Sequence, residues 1–537
     1  MKRLSFLFLL ALLLVASTAS ARLNVSVTQN PAIYQILDTL TAFGLIDDYM
    51  LGQRPLSETE IFRLLNEAKT NLPRVKGQKI EPRAMLLLAQ CEHFLPDKKE
   101  TIADTLRITP LQHFSLQYLF LDSPYRFVTP TVSSAKIDAL INPLVAYEGG
   151  RPYKDEHNFM FESEHAIHLG SHFDISGQPQ FLFAKQNNGA EDTMQWSFDH
   201  LYLRSEFKNI GMQDGRDQLV WGFDPEGGNI FSINGRGLDM LKISNITPFH
   251  LPWILKYLGK MNATFFFGDL THGTVFPYTY ITGYKLSFLP HKNFEWGFTT
   301  ALVSGGYGSP QASVGARFVD TIGGYIPNLI GLGNPIDAFA SNRIGAFEFA
   351  LRIPKWRGTQ IYWEFSLDDA NFNQYKFVYE SLNHAGIFIP RLTSDGRNQL
   401  RLEYKNAGFL PYRHEQFISG WTNNKLLLGD ALGPDAQGVY VRYDFAPTYY
   451  WQHQLGFVWE ERDSDLYSIP IIHKTVENPA ETRFRWWAGC RWRSTEAFEI
   501  ALRAGYERVQ QFNFIPGDDR NNFLTDIKLT WYPEFDS

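Results

Sequence analysis

Three carboxylate side chains lie near the end of the segment QIYWEFSLDDA at residues 360–370: Glu364, Asp368 and Asp369. Two carboxylates at a fixed separation can hydrolyse glycosidic bonds, one as the acid and the other as the base or nucleophile. If the segment is a strand, Glu364 and Asp368 point to the same side, because alternate residues of a strand share a face. The sequence does not fix their separation, so ion pairing with arginines in the lumen of a larger fold is the simpler interpretation.

A histidine-rich segment, HAIHLGSHFD at residues 165–174, contains further candidates: His165, His168, His172 and Asp174. Imidazole and carboxylate groups are common ligands of divalent metal ions. On one continuous strand, His168, His172 and Asp174 share a face. However, two residues four positions apart on a strand are separated by about 13 Å, which is too far for one ion. We therefore predict no metal site and no cofactor.

Tyr412, Arg413 and His414 lie in a predicted loop. A tyrosine ring can stack on a sugar, and basic side chains can donate hydrogen bonds to its hydroxyl or carboxylate groups. These three residues are therefore candidates for binding a polysaccharide. Ordinary loop packing is the alternative interpretation.

Arginines alternate with aromatic residues around the segment FRWWAGCRWR at residues 484–493. If this segment is a strand, one of its faces carries four arginines: Arg483, Arg485, Arg491 and Arg493. A row of positive charges can attract an acidic sugar chain. The candidates for ligand contact are Arg483, Arg485 and Arg491. The alternative is that the arginines pair with carboxylates of the next strand, such as Glu499 and Glu507.

The elements that position these side chains belong to an exported chain of 537 residues. Residues 1–21, MKRLSFLFLLALLLVASTASA, combine a basic start, an apolar run and a small-residue site, which predicts a signal peptide cleaved near Ala21. The net charge of −7 argues against a nucleic-acid partner. Only two cysteines, Cys91 and Cys490, are present, so a disulfide framework is excluded.

A helical bundle is predicted for residues 22–106. PAIYQILDTLTAFG begins with Pro31 and ends at Gly44, as a helix does. Ser57 and Glu60 form a capping box before the next apolar stripe. A third helix follows in EPRAMLLLAQCEHFLP. Because three short amphipathic helices cannot bury their stripes alone, they must pack on something larger. We predict a helical plug or cap on a larger domain.

From about Leu111 the apolar period changes from 3.6 to 2, and the alternation continues for some 400 residues. Phe347, Phe349 and Leu351 oppose Glu348 and Arg352, for example. A soluble sandwich alternates in the same way but divides into domains of about 100 residues. The uninterrupted pattern, the signal peptide and the 15% aromatic content favour an outer-membrane β-barrel over residues 107–537. At roughly 24 residues per strand and turn, about 18 antiparallel strands are expected.

Several segments resemble the Wzi-type family of capsule-assembly outer-membrane proteins. The helical part carries the family pattern Y-x-x-L-x-x-L-x-x-x-G-L-I from Tyr34 onward. Further matching segments lie at 220–243, 283–306 and 360–370, and the fullest match is at 400–436. The motif residues are Trp221, Gly222, Gly429, Gly433, Pro434 and Asp435. One departure concerns Phe223 and Asp224, which stand where the family usually has Pro-Gly after Trp-Gly, so a ligand held there would differ.

The resemblance implies a barrel closed by loops and, at the periplasmic side, by the helical bundle. It also implies a role in anchoring or organising exported capsular or other surface polysaccharide. It implies no enzymatic activity. The expected partners are that polysaccharide and outer-membrane lipid, and we expect a monomer. Two alternatives stay open: a pore for sugars or small solutes, and a hydrolase that uses the lumen carboxylates.

Overall fold

The computed structural model describes residues 31–93, 106–128, 135–169, 173–185, 191–310, 313, 315, 321, 341–368, 380–448, 450–462, 479–495 and 497–533. Asp369, His172 and the predicted signal peptide lie outside these described residues.

In the described residues, three α-helices precede the sheet: α1 (Pro31–Ala42), α2 (Glu58–Asn71) and α3 (Glu81–His93). The capping box forms as predicted, because Ser57 Oγ accepts a hydrogen bond from the Glu60 amide at 3.3 Å. Gly44, which follows α1, has a φ of +77°. In the described part of the chain, none of the helices is long and apolar enough to span a membrane. Shorter 3₁₀ turns lie at Leu72–Val75, Pro143–Val145, Trp253–Leu258, Pro354–Trp356 and Phe512–Phe514.

Eighteen long strands of the described chain form one closed antiparallel barrel. They are β1 (Leu106–Asp122), β2 (Glu156–Leu169), β3 (Phe173–Lys185), β4 (Thr193–Phe207), β5 (Ile210–Asp217), β6 (Leu238–Asn245), β7 (Lys260–Asp269), β8 (Tyr280–His291), β9 (Phe294–Ser304), β10 (Ser341–Ile353), β11 (Thr359–Asp368), β12 (Ser381–Ile389), β13 (Asn398–Ala407), β14 (Ala436–Phe445), β15 (Trp451–Arg462), β16 (Glu481–Thr495), β17 (Phe498–Gln510) and β18 (Arg520–Trp531).

Each barrel strand pairs with the strand that follows it in the sequence, and β18 returns to pair with β1. At this seam Phe114 lies opposite Trp531, and Asp122 lies opposite Phe523. The expectation of about 18 antiparallel strands is therefore confirmed.

The alternation along the strands separates an apolar outer face from a polar inner face. On β16 the outward Trp486 is exposed, whereas the inward Arg483 is buried. On β10 Phe347 is exposed and the neighbouring Glu348 is buried. Other exposed apolar residues of the strands include Phe161, Leu201, Phe267, Leu351, Leu402, Leu455, Leu502, Phe523 and Ile527. An apolar outer face with a polar interior is the arrangement of a membrane barrel.

The two ends of the barrel differ. One end has short turns, such as residues 208–209 and 292–293, and the other has long loops, such as residues 218–237 and 408–435. The helices pack at the short-turn end. There Lys292 Nζ lies 3.4 Å from Asp47 Oδ1, in the segment after α1.

Long loops fold back into the barrel from the opposite end and pack against its inner wall. Four pairings of two-residue strands stabilise the interior and the rim: Gln53–Arg54 with Val220–Trp221, Arg126–Phe127 with Leu140–Ile141, Thr422–Asn423 with Leu426–Leu427, and Phe249–His250 with the start of β7. The first pairing joins the segment between α1 and α2 to the loop at 218–237. Helices and loops therefore meet inside the barrel.

Candidate functional site

The wall carboxylates predicted on β11 point into the barrel and are buried. Glu364 accepts a hydrogen bond from the Asn229 amide at 3.0 Å, and Asp368 accepts one from the Tyr412 amide at 2.7 Å. These main-chain partners correct the simple picture of a ladder of ion pairs with arginines. A carboxylate accepts such bonds strongly because it is charged. Glu364 and Asp368 therefore fasten two inner loops to the barrel wall.

Glu295 of β9 does the same for the helical part. Its carboxylate accepts hydrogen bonds from the amides of Leu51 at 2.8 Å and Gly52 at 3.1 Å. Gln53, the next residue, donates to Ser287 Oγ of β8 at 3.0 Å. The segment between α1 and α2 is thereby bound to the wall through its main chain.

Several glycines of the family-like segments allow this close approach. A Cβ at Gly228 would overlap with the Glu364 carboxylate, and one at Gly429 would overlap with the carbonyl oxygen of Asn229. Gly222 has a φ of +139° and Gly433 one of +74°, which a side chain would strain. These motif glycines therefore serve loop packing inside the barrel.

The loop candidates for ligand contact are buried in this structure. Tyr412 is 0% exposed, and its hydroxyl donates to Asn229 O at 2.5 Å and accepts from the Asp430 amide at 3.1 Å. The guanidinium of Arg413 lies 4.3 Å from the ring centre of Phe409. The His414 amide donates to Lys136 O at 3.0 Å. This placement favours the packing interpretation, because no face of Tyr412 is open to a sugar.

The remaining motif residues are buried as well. Trp221 packs edge-on against Phe231 and Phe266, with ring centres 5.1 and 5.6 Å away. Pro434 is buried, and the amide of Asp435 donates to Gly408 O at 2.7 Å.

The two residues that depart from the family pattern after Trp221-Gly222 also point inward. Phe223 is buried 6.2 Å from the ring of Tyr362, and Asp224 Oδ2 lies 3.5 Å from Lys405 Nζ. The departure therefore changes interior packing in this structure.

Arginines and carboxylates form a buried network under the long loops of β15–β17. Arg483 lies 2.6 Å from Glu481 and 3.2 Å from Glu460. Arg126, from the loop after β1, lies 3.0 Å from Glu507. Arg483 thus has carboxylate partners. Glu507 pairs with Arg126 of a loop and not, as the sequence had suggested, with an arginine of β16.

A cavity of about 440 Å³ lies inside the barrel along the inner face of β13–β18. Arg485 and Arg491 line it, in agreement with their predicted inward orientation. Arg485 donates to Pro143 O, while Arg491 lies 3.3 Å from Glu499. Other charged lining residues pair across neighbouring strands, as Arg503 does with Asp526 at 3.2 Å.

The short-turn end of the cavity is lined by residues of the helices, including Tyr34, Gln35 and Arg83. Burial and the nearby positive charge of Arg397 lower the pKa of Arg83 to about 10. Sequence reasoning missed Arg83, because a single arginine in an amphipathic helix usually faces solvent. It also missed Glu295 and Arg126, whose roles depend on contacts with segments distant in the sequence.

One group of side chains among the described residues has the composition of a metal site. Oxygen and nitrogen atoms of Asp224, His384 and Glu403 lie within 4.8 Å of one another. However, His384 Nε2 lies 3.2 Å from Glu403 Oε1, and Lys405 Nζ lies 3.5 Å from Asp224 Oδ2, so each of these groups already has a partner in the protein.

The structure corrects the sequence interpretation of the histidine-rich segment. His168 and Asp174 lie on two strands of one hairpin, β2 and β3, and not along one strand. Their Nδ1 and Oδ1 atoms are 2.5 Å apart. His165 Nε2 lies 2.9 Å from Ser163 Oγ.

A family model described as capsule assembly protein Wzi matches residues 132–524. No curated protein sequence matches the chain. Among solved structures, the chain resembles the Escherichia coli outer-membrane protein Wzi, described as a carbohydrate-binding β-barrel involved in group 1 capsule assembly. The TM-score is 0.66 at 16% identity, over 96% of this chain and 100% of that one.

Two further similar structures come from Pseudomonas aeruginosa. OprD gives a TM-score of 0.41 at 9% identity, over 81% of this chain and 97% of its own. OpdO gives 0.43 at 9% identity, over 80% and 96%.

Proposed function

We propose, from the premise that this chain belongs to the family of the capsule assembly protein Wzi, that it anchors or organises exported polysaccharide at the cell surface. The barrel resides in the outer membrane, where its apolar outer face contacts lipid. The E. coli relative is described as carbohydrate-binding. We propose that this chain also binds a carbohydrate, namely the surface polymer of its own cell.

In this proposal residues 1–21 are a signal peptide, residues 22–106 form a periplasmic plug and residues 107–537 form the barrel. Outer-membrane barrels place short turns in the periplasm and long loops outside. Because the helices pack at the short-turn end, they face the periplasm, and the loops at 218–237 and 408–435 belong to the external end.

The observation that carries the proposal is the filled interior. The helical part enters from one end and the loops enter from the other. The two meet where Gln53–Arg54, between α1 and α2, pairs with Val220–Trp221 of the 218–237 loop. A protein that holds a polymer at its outer surface needs no open path through the membrane. A rigid interior that fixes the external loops is sufficient, because preorganised loops lose little freedom on binding.

The test compares a deletion strain with its parent. We expect the fraction of polysaccharide released into the medium to rise while total polysaccharide stays unchanged, and the wild-type gene on a plasmid to restore retention. A ratio of cell-bound to released polymer that does not change would contradict the proposed role.

The second candidate is a pore for sugars or small solutes, and the cavity beside β13–β18 favours it. A pore would give steady conductance steps when the purified protein is inserted into a planar bilayer. We expect no steady conductance, because helices and loops meet inside the barrel. Persistent open steps would establish the pore function.

We propose that the protein is not an enzyme. Glu364 and Asp368 are buried and hold loop amides, so a sugar cannot reach them in this conformation. Incubation of the polymer with purified protein should release no reducing ends. Release by the wild type that is lost in both Glu364→Gln and Asp368→Asn would overturn this view.

We propose, finally, that the protein works as a monomer without a nucleic-acid partner. Light scattering of the purified protein, corrected for bound detergent, should give a protein mass close to 61.7 kDa less the signal peptide. Twice that mass would indicate a dimer.

A further inference from the structure

Two tyrosines stand out at the long-loop end of the barrel because they face solvent. Tyr307, after β9, is 72% exposed, and Tyr278, between β7 and β8, is 40% exposed. Their ring centres lie 5.3 Å apart at an angle of 78°. The ring of His272 lies 4.9 Å from that of Tyr278, and its Nε2 is 3.2 Å from the Tyr278 hydroxyl. We call these three residues the tyrosine platform.

The platform is held in place by the main chain. The Tyr307 amide donates to Pro277 O at 2.9 Å, and the Tyr278 amide donates to Thr271 O at 2.5 Å. Tyr278 itself has a φ of +59°, a conformation that a bulky residue rarely adopts and that surrounding structure must enforce. The two rings are therefore presented on fixed loops.

The loop that carries Tyr278 is bonded to the 408–435 loop and packs against its aromatic core. The amide of Asn424 donates to Gly273 O at 3.0 Å, and the Val275 amide donates to Ser419 Oγ at 2.7 Å. Phe276 turns inward and packs edge-on against Phe417, with ring centres 5.7 Å apart. The loop thus turns the half-buried Phe276 inward as an anchor and leaves Tyr278 exposed.

We propose that the tyrosine platform binds pyranose rings of the surface polysaccharide. A pyranose has an apolar C–H face and polar edges, which match an exposed ring with hydroxyl and imidazole groups beside it. Tyrosine offers a large rigid contact area with little rotamer freedom to lose. Lys425, next to Asn424, is exposed and lies 3.3 Å from Asp138, so an ion pair on the hairpin that carries Asn424 flanks the platform.

This inference rests on the proposed function, because it names the surface by which the protein would hold the polymer. Buried Tyr412 cannot serve in this way, whereas the tyrosine platform lies at the end where exported polymer is expected. Lipid is a poor occupant there, because the apolar belt of the barrel lies on the strands and not on these loops.

The test measures binding of the full-length protein in detergent to polysaccharide purified from the cells that carry the gene, by biolayer interferometry. Tyr307→Ala should weaken binding by about tenfold, the usual loss for a dominant aromatic contact. Tyr307→Phe keeps the ring and should bind as the wild type does. Tyr257→Ala is the matched control, since Tyr257 is 76% exposed at the short-turn end; it should bind normally.

Each outcome is decisive. Binding by the wild type that survives in the double variant Tyr278→Ala, Tyr307→Ala overturns the platform and leaves the proposed function standing. Wild type that does not bind the polymer overturns both. A loss that Tyr257→Ala shares shows that the effect is not local and also overturns the platform. Unheated gel mobility, which reports a folded barrel, confirms that each variant has folded.

Discussion

The polar side chains on the inner wall of the barrel have different hydrogen-bond partners on its two sides. On the packed side, β7–β12, wall groups bond to the main chain of helices and loops, as Glu295 does to the Leu51 amide and Glu364 to the Asn229 amide. On the cavity side, β14–β18, several wall charges bond to one another across or along the strands, as Arg442 does to Asp444 at 3.1 Å. One set of partners ties elements together, and the other keeps an interior surface polar.

The difference shows that the role of an inward charged residue on a barrel strand depends on what packs against it. Where an inner segment lies close, its unpaired amides need acceptors, because a buried amide without a partner costs about 1–3 kcal/mol. Where a cavity remains, a pair such as Arg442 and Asp444 is about a fifth exposed and adds little stability. The following predictions test whether the two sides differ in energy as they differ in geometry.

The largest effect is expected for Arg54→Met in the segment between α1 and α2, which packs against the packed side. Arg54 is buried, lies 3.3 Å from Asp38 and donates to Asp224 O at 3.1 Å. Its loss leaves a buried carboxylate unpaired, which costs about 3–5 kcal/mol. The matched variant Arg442→Met on the cavity side should cost less than about 1 kcal/mol. Guanidinium unfolding in detergent, followed by tryptophan fluorescence, measures both free energies, and equal losses would remove the distinction between the sides.

A pair of glycines gives the next largest difference. A Cβ at Gly429 overlaps with the carbonyl oxygen of Asn229, whereas one at Gly489 meets its nearest atom, Gln454 Cβ, at 3.6 Å. Gly429→Ala should therefore lower the free energy of unfolding by about 3 kcal/mol. Gly489→Ala should change it by less than about 0.5 kcal/mol. Limited proteolysis of the 408–435 loop checks the cause, because only Gly429→Ala should expose it.

Two substitutions of Glu364 distinguish the loss of a hydrogen-bond acceptor from the loss of a negative charge. Glu364→Leu leaves the Asn229 amide without its partner and should cost about 1–2 kcal/mol. Glu364→Gln keeps an acceptor oxygen and should cost less than about 1 kcal/mol. If the two variants lose the same stability, charge rather than the hydrogen bond holds the loop.

The last prediction concerns the reactivity of cysteine thiols, and no change in the free energy of unfolding is expected. Cys91 is buried among the helices, and burial raises the pKa of its thiol well above the usual value, so little thiolate forms. In a Cys490→Ser background, a water-soluble maleimide should label Cys91 only after denaturation, even at pH 9. Adding Gln454→Cys on the cavity lining should give rapid labelling of the folded protein. Labelling of native Cys91 would mean that the packed interior opens.

The sequence predicted the elements better than their contacts. Alternation along β10, β16 and β17 indicated strands with inward arginines, and the Ser57 capping box marked the start of α2, because both signals are local. The expectation that the two cysteines are not bridged is also confirmed, since both are free.

The roles of the site residues depended on distant segments and could not be predicted. Tyr412 has the composition of a sugar-binding residue, yet its hydroxyl bonds to Asn229, 183 positions away. His168 and Asp174 meet because a hairpin turns between them. The ligand roles predicted for Arg485 and Arg491 stay predictions. Local period reports which face a residue occupies but not what lies against that face.

The seam between β1 and β18 has a consequence for assembly. These two strands are the first and last of the ring, and their pairing from Phe114 to Asp122 with Phe523 to Trp531 is what removes both open edges. Closure therefore requires almost the whole barrel sequence to be present. A ribosome that stops before β18, or a nonsense mutation near residue 520, should yield a chain whose unpaired edges invite proteases or aggregation. Cells that carry such an allele should show loss of the protein rather than a partly functional barrel.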